Sequence, residues 1–296
     1  MRVLVAGGVS YDSLVYLQDF PPPQSHTIFS KGFHETVGST GAGKALNLNR
    51  LGFDVTLHGL LGDDAPGAAV RALFARENLR FLADTDPQGT ERHINLMNDA
   101  GGRISIYAAH ATFEPDIDLD RLETEIARCD VLVLNIINYC RRLIPLAQRH
   151  TRPIWCDLHD YDGQNPYHQD FVDAADCLFM SSDAMPEYRA FMTRMIDAGK
   201  RQIICTHGRA GSTALTADGT WREQPALMTY PQADTNGAGD AFFAGYLYGH
   251  AQGDSAERCL QLATICGGLA VTSRELVCPD LSAAHLEQEW KRHYGP

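Results

Sequence analysis

The 296 residues predict an α/β fold: a central, mostly parallel sheet flanked by helices, with a small β-strand lid. Three observations predict it. Short β-branched runs recur at 3–6, 55–58, 131–135, 154–156, 177–180 and 202–205, and they are continuously apolar rather than alternating, as strands buried on both faces are. Segments with apolar residues at helical spacing separate them, such as Ala69, Val70, Leu73 and Phe74 within 66–76. Two stretches, 26–37 and 91–110, break this rhythm and read as strands of a separate sheet, the second folding back at Asp99-Ala100-Gly101-Gly102.

In chain order, the run at 3–6 is closed by Gly7-Gly8, the run at 55–58 feeds the helical 66–76, and 118–128 places Leu119, Leu122 and Ile126 on one helical face before the strand at 131–135. Strand and helix then alternate to residue 205, the signature of parallel βαβ units. Near the end the order changes to helix after helix, 241–249 and then 256–272, the latter with Ala256, Cys259, Leu260, Ala263, Gly267, Ala270 and Val271 on one face. No repeat, charge block or low-complexity linker divides the chain, so residues 1–296 read as one domain with the lid segments, about 26–37 and 91–110, inserted. A lid over a crevice excludes water from a reaction.

Composition narrows the function. With 25 Lys+Arg against 37 Asp+Glu the net charge is −12, and 44% of the residues are hydrophobic. An acidic surface without a basic cluster argues against nucleic acid and anionic membrane as partners. Any anionic ligand must then be held locally by oriented amides. The eight cysteines form no C-x-x-C pair and read as buried reduced thiols. The uncharged stretch 259–273 is too short for a membrane span, and no signal-like segment opens the chain, so the expected location is cytoplasmic.

The chemistry concentrates in Asp234-Thr235-Asn236-Gly237-Ala238-Gly239-Asp240, which precedes the helical Ala241-Phe242-Phe243. Small residues at a helix start leave unpaired N–H groups and the positive dipole end open to an anion. Asp240 places a carboxylate beside that anion, which makes sense if it takes a proton from an attacking hydroxyl. A merely structural Gly-rich turn capped by an Asp is the plainer alternative.

This run resembles the D-T-x-G-A-G-D signature of the ribokinase-like (PfkB) carbohydrate kinases, and the resemblance extends over essentially the whole chain. Gly38-Ser39-Thr40-Gly41-Ala42-Gly43-Lys44-Ala45 is similar to the family's G-G-x-G-x-N-x-A element, Gly62-Asp63-Asp64 with Gly67 to its G-D-D-x-x-G turn, and Thr206-His207-Gly208-Arg209-Ala210-Gly211 to its T-x-G-x-x-G phosphate loop. The resemblance implies a cytoplasmic transferase that moves the ATP γ-phosphoryl, with Mg2+, to a hydroxymethyl group of a small sugar, ribose- or ketose-like. It implies Asp240 as base, the amides of Gly237, Ala238 and Gly239 as anion hole, Asp12 with Ser10, Gly38, Gly41 and Gly43 around the acceptor, and Thr206, Gly208, Gly211, Thr235 and Thr264 around the nucleotide. It also implies a homodimer through the lid. A nucleoside kinase of the same family, with a base shelf from Phe29, Phe33 or Tyr107, is the alternative; a non-catalytic sugar or nucleotide sensor is a third.

Departures from the pattern matter as well. Gly43 and Ser10 stand where relatives carry sugar-binding Asn residues, so two donors are missing. The N-x-x-E element is absent from Ser181–Glu187, which leaves Asp183, Glu187 or solvent to help organise the metal, whose ligands stay unassigned. A Walker A reading of 38–44 fails because Ala45 stands where a Mg2+-binding hydroxyl is needed. Lys44 is then expected as a solvated or packing residue. A carboxylate at a helix N-terminus should have a lowered pKa.

Overall fold

A computed structural model describes residues 1–295. Its strands are β1 (Arg2–Ala6), β2 (Ser10–Leu17), β3 (Gly32–Gly38), β4 (Asp54–Leu61), β5 (Arg80–Thr85), β6 (Arg92–Asn98), β7 (Arg103–Ala109), β8 (Val131–Asn135), β9 (Ile154–Asp157), β10 (Cys177–Ser181), β11 (Gln202–Thr206), β12 (Ser212–Thr216) and β13 (Trp221–Gln224). The helices are α1 (Thr40–Arg50), α2 (Ala65–Arg76), α3 (Leu119–Arg128), α4 (Ile144–Arg149), α5 (Gln169–Ala174), α6 (Tyr188–Asp197), α7 (Ala238–Ala251), α8 (Ala256–Ala270) and α9 (Ala283–Tyr294).

The large sheet runs β13-β12-β11-β10-β9-β8-β1-β4-β5 and is parallel except where β12 and β13 turn back. Continuous apolarity has the expected cause: along β1, Val3 and Val5 enter one core while Leu4 and Ala6 enter the other. The first core packs α1, α7 and α8 on the sheet, the second α3 to α6. Helix α7 is apolar nearly all round and buried from Asp240 to Gly249, as a helix in the middle of a core must be. Gly245 lets it lie close to α8, because a Cβ there would stand 2.8 Å from the Leu262 carbonyl oxygen. A helix packed so tightly holds its N-terminus at a fixed place over the sheet.

The second sheet has the order β3-β2-β6-β7. It differs from the expected lid in two ways. Ser10–Leu17, which the sequence reading assigned to no element, is a central strand of this sheet, and of the segment 26–37 only Gly32 onwards joins a ladder. Residues 26–31 lack strand pairing, whereas the turn at 99–102 joins β6 to β7. The Gly62-Asp63-Asp64 turn anchors the sheet: Asp64 caps α2 by accepting from Gly67 N at 2.8 Å, and it also accepts from the Thr90 amide and hydroxyl just before β6. Among the described residues no helix is long and apolar enough to cross a membrane.

Candidate active site

Parallel sheets open a crevice beyond the carboxyl ends of their strands. Here the crevice encloses about 990 Å³ between the large sheet and the inner face of the small one. Strand ends supply Asn135, Asp157, Ser181 and Thr206, the small sheet supplies Asp12, His93, Asn95, Ser105 and Tyr107, and the signature run supplies Thr235, Asn236, Gly237, Gly239 and Asp240.

Among the described residues, the start of α7 leaves the amides of Gly237 and Gly239 without a backbone acceptor, while the Ala238 amide makes a long bond of 3.4 Å to the Thr235 carbonyl oxygen. Gly237 occupies the left-handed region at φ 77° as N-cap, and no side chain caps the helix. A side chain at 237 would be strained by that φ and would press on the Leu276 carbonyl oxygen, 2.8 Å from a Cβ. Asp234 holds the loop from outside, accepting from Asn236 N at 2.8 Å and from the Tyr16 hydroxyl at 2.7 Å. Its role is thus structural, and Tyr16 ties the signature run to β2. Arg103 of β7 donates to Asn236 Oδ1 at 2.9 Å, a second tie between the small sheet and this loop.

Asp240 lies in the first turn of α7 at 8% exposure. Lys44 corrects the sequence reading. It is neither solvated nor a passive packing residue: it is fully buried, with Nζ 2.6 Å from Asp240 Oδ1 and 3.0 Å from Asp157 Oδ2. The expected lowering of the Asp240 pKa is also overturned. Burial pushes this carboxyl up, and it outweighs the opposing charge and hydrogen bond of the Lys44 ammonium. Asp157 moves the other way: burial is outweighed by His159, Lys44 and the His159 amide, and its pKa is lowered.

The glycines of 38–43 make room for protein atoms. A Cβ on Gly38 would collide with the Asp12 carboxylate, one on Gly41 with the Gly7–Gly8 backbone, and one on Gly43 with Asp240 Oδ2. Gly43 thus sits against the carboxylate it allows to be there. Ser39, where the family motif has glycine, adopts φ 70° and ψ 156°, a region that costs a non-glycine residue about 1–3 kcal/mol.

Asp12 sits in a polar cluster on the small-sheet side of the crevice. It accepts from Ser10 Oγ at 2.6 Å and Asn95 Nδ2 at 3.2 Å, and His93 Nδ1 is 3.3 Å away. The His93 ring also faces Glu91, with Nε2 3.1 Å from Oε1. Desolvation would lower the His93 pKa, but hydrogen bonds and charge from Asp12 and Glu91 win and push it up to about 9. Tyr107 packs on His93 and lies parallel to His110, at 5.9 Å and 8°.

Of the residues singled out in the sequence, the crevice is lined by Asp12, Thr206, Thr235, Gly237, Gly239 and Asp240. Ser10, Gly38, Gly41 and Gly43 stand behind it, while Gly208, Gly211, Ala238 and Thr264 are outside the lining. His207 is a strut, bonded to Ser182 and Thr213 hydroxyls at 2.9 Å each. Of the three aromatic shelf candidates only Tyr107 lines the crevice; Phe33 is on the outer face of the small sheet and 62% exposed. Lys44, Glu91, His93, Asn95, Asn135 and Asp157 were not anticipated. Asp157 at a strand end carried the one usable signal.

Comparison with known proteins follows this geometry. The family model of the pfkB family carbohydrate kinases matches residues 168–281. The acarbose 7(IV)-phosphotransferase of Actinoplanes sp. is 31% identical over 280 residues, covering 91% of this chain and 92% of the relative. The ribokinase of Bacillus subtilis is 25% identical, with 92% and 93% covered. Among solved structures, microbiome-derived acarbose kinase Mak1 superposes with a TM-score of 0.87 at 26% identity, covering 97% of this chain and 98% of that one. The chain belongs to the PfkB family of carbohydrate kinases. It is an ATP-dependent sugar kinase, a phosphotransferase with an alcohol group as acceptor.

Proposed function

We propose that the protein transfers the γ-phosphoryl group of ATP to a hydroxymethyl group of a sugar, with Asp240 as the base and the amides of Gly237, Ala238 and Gly239 as the anion hole. The observation that carries this reading is the uncapped α7 N-terminus with a buried carboxylate beside it, both facing one crevice. The acceptor hydroxyl oxygen bonds to the γ-phosphorus as the bridging O–P bond breaks, ADP leaves with that electron pair, and the hydroxyl proton passes to Asp240. Positioning and charge stabilisation supply most of the rate.

No group of three or more His, Cys, Asp or Glu side chains among the described residues could hold a metal alone. Mg2+ carried on nucleotide phosphates needs only one or two carboxylates besides water and phosphate. Asp183, in the crevice lining near Thr206, would be the protein carboxylate. Bound there, Mg2+ would offset the charge that develops on the transferring phosphoryl group. Thr206 and Thr235 would contact the nucleotide.

At the acceptor end, Asp12, His93 and Asn95 would bind hydroxyls, with Asn135 Oδ1, buried and without a protein partner, as a further acceptor. The parallel Tyr107 and His110 rings would cover an apolar sugar face. With the two Asn donors of the motif replaced and a crevice this large, the reading shifts from a free pentose toward a larger glycoside. The acarbose kinases among the relatives support that direction. The small sheet would act as the lid, and its outer face, with Phe33, Ile94, Ile104 and Ile106 exposed, would pair with a second copy.

The test is an acceptor panel of ribose, fructose, adenosine, maltose-type oligosaccharides and acarbose, read by ADP release and 31P NMR of the product. Phosphorylation of an oligosaccharide with little turnover of ribose is expected. Preferred turnover of adenosine would favour the nucleoside reading, and nucleotide and sugar binding without ADP would favour a sensor. Sedimentation of the wild type and Ile104→Asp tests pairing: a dimer converted to monomer is expected, and a monomeric wild type refutes it.

A further inference from the structure

We propose that Lys44 is a positioning residue for phosphoryl transfer: its buried ammonium clamps Oδ1 of Asp240, keeps that carboxylate ionised, and leaves Oδ2 as the oxygen that meets the acceptor hydroxyl. The inference rests on the reading of Asp240 as base. Lys44 is carried by α1, Asp240 by α7 and Asp157 by the end of β9, so the cluster joins three elements of the main sheet layer. Its two contacts, 2.6 Å to Asp240 Oδ1 and 3.0 Å to Asp157 Oδ2, are charge-assisted. The other oxygen, Oδ2 of Asp240, lies against Gly43, where any side chain would collide with it. Gly43 and Lys44 therefore act on the two oxygens of one carboxylate: the glycine clears space for Oδ2 and the lysine anchors Oδ1.

Stability alone does not account for such a lysine. Burying a salt bridge gives up hydration that the pairing regains only in part, and well-packed apolar replacements are often neutral or stabilising. The charges facing Nζ explain it better. From β9 come Asp157 and the thiol of Cys156, which burial keeps neutral; from the loop beyond β9 comes His159, whose Nδ1 is 3.5 Å from Asp157 Oδ2; from α7 come Asp240 and the face of Phe243, 5.4 Å from Nζ. Burial would lower the Lys44 pKa, yet the two carboxylates outweigh it and raise it, so the ammonium persists at every working pH. It is shared unequally. Asp157 is driven down and Asp240 up, which splits two neighbouring carboxylates into a permanent anion and a proton acceptor. Without the ammonium, burial and Asp157 would be opposed chiefly by His159, and the Asp240 carboxyl would be pushed further up.

The experiment is the pH profile of kcat at saturating nucleotide and acceptor for wild type, Lys44→Met, Lys44→Gln and Asp240→Asn, with thermal melts as a folding control. The acid limb of Lys44→Met should move up by at least about one pH unit, lowering kcat by about tenfold at pH values below the wild-type midpoint, with recovery toward alkaline pH. Lys44→Gln, which keeps a neutral donor, should move it less. A folded Lys44→Met whose limb coincides with the wild type, beside an inactive Asp240→Asn, would overturn the inference while the base assignment stands. An active Asp240→Asn would instead overturn the base assignment. Should neither Lys44 variant fold, Asp157→Asn decides: with the ammonium no longer shared and the second anion gone, the acid limb should move down, and a limb that coincides with the wild type or moves up overturns the clamp.

Discussion

Two carboxylates line one crevice from different sheet layers, and their partners differ in kind. Asp240 is matched to Lys44, which has no exposure and a charge that does not titrate in the working range. Asp12 is matched to His93, a cation only because Asp12 and Glu91 hold its pKa at about 9, and it lies in the small sheet beneath a stack of aromatic rings. The first arrangement sits among α1, α7 and β9, whose packing admits little movement. The second sits on a sheet joined to the rest through the Asp64 turn and the Tyr16 and Arg103 ties. On the proposed reading the difference amounts to a division of labour: phosphoryl-transfer chemistry would belong to the tightly packed layer and acceptor recognition to the small sheet, where side chains could be exchanged without disturbing Asp240.

That division predicts effects of different size and kind. Asp240→Asn should lower kcat by about 10²- to 10⁴-fold or more, while nucleotide affinity by calorimetry stays close to the wild type; retained turnover would break the comparison at its rigid end. Gly43→Ala drives a methyl group toward Asp240 Oδ2, and a displaced base should cost about 10²-fold in kcat with little change in acceptor KM. Asp12→Ala should act the other way, raising acceptor KM about tenfold or more with a smaller change in kcat; an unaltered KM would remove Asp12 from the acceptor end.

The His93 pair predicts a pH dependence of stability. Its folded pKa, about 9, is above the ordinary value of 6.5, so the native state binds the proton more tightly. The contribution is complete below about pH 6.5 and is lost as pH rises through about 9. Melting curves of wild type and His93→Phe should accordingly differ in their pH slope over that window by about 2–5 °C. Parallel slopes would show that the imidazole is neutral. The smallest effect belongs to Ser39→Gly, which relieves the strained φ of 70° and should raise Tm by about 1–3 °C; a lowered Tm would mean that the Ser39 side chain contributes more than its backbone costs.

The same contrast governs what could be read from the sequence. The parallel strands were legible because each is apolar on both faces, and the α7 start was legible because Gly237, Ala238, Gly239 and Asp240 are contiguous. Ser10–Leu17 was not recognised as a strand, since Ser10, Asp12 and Ser13 make its first half read as a turn, although Asp12 faces the crevice from within that ladder. Residues 26–31 carried Ile28 and Phe29 but no ladder partner. Lys44 was illegible for a further reason: its partner Asp240 is 196 positions away, and nothing local distinguishes a buried lysine from a solvated one at a helix start. The role of the glycines at 38, 41 and 43 was hidden likewise, because the atoms they make room for come from distant segments.

The most direct measurement of the central claim is a crystal structure with a non-hydrolysable ATP analogue and a phosphorylatable sugar acceptor. The account predicts the terminal phosphate against the amides of Gly237 to Gly239 and the acceptor hydroxyl within about 3 Å of Asp240 Oδ2, with Lys44 still on Oδ1. A terminal phosphate bound away from the α7 start, or an Asp240 carboxylate with both oxygens held by protein and none reaching the acceptor, would contradict it.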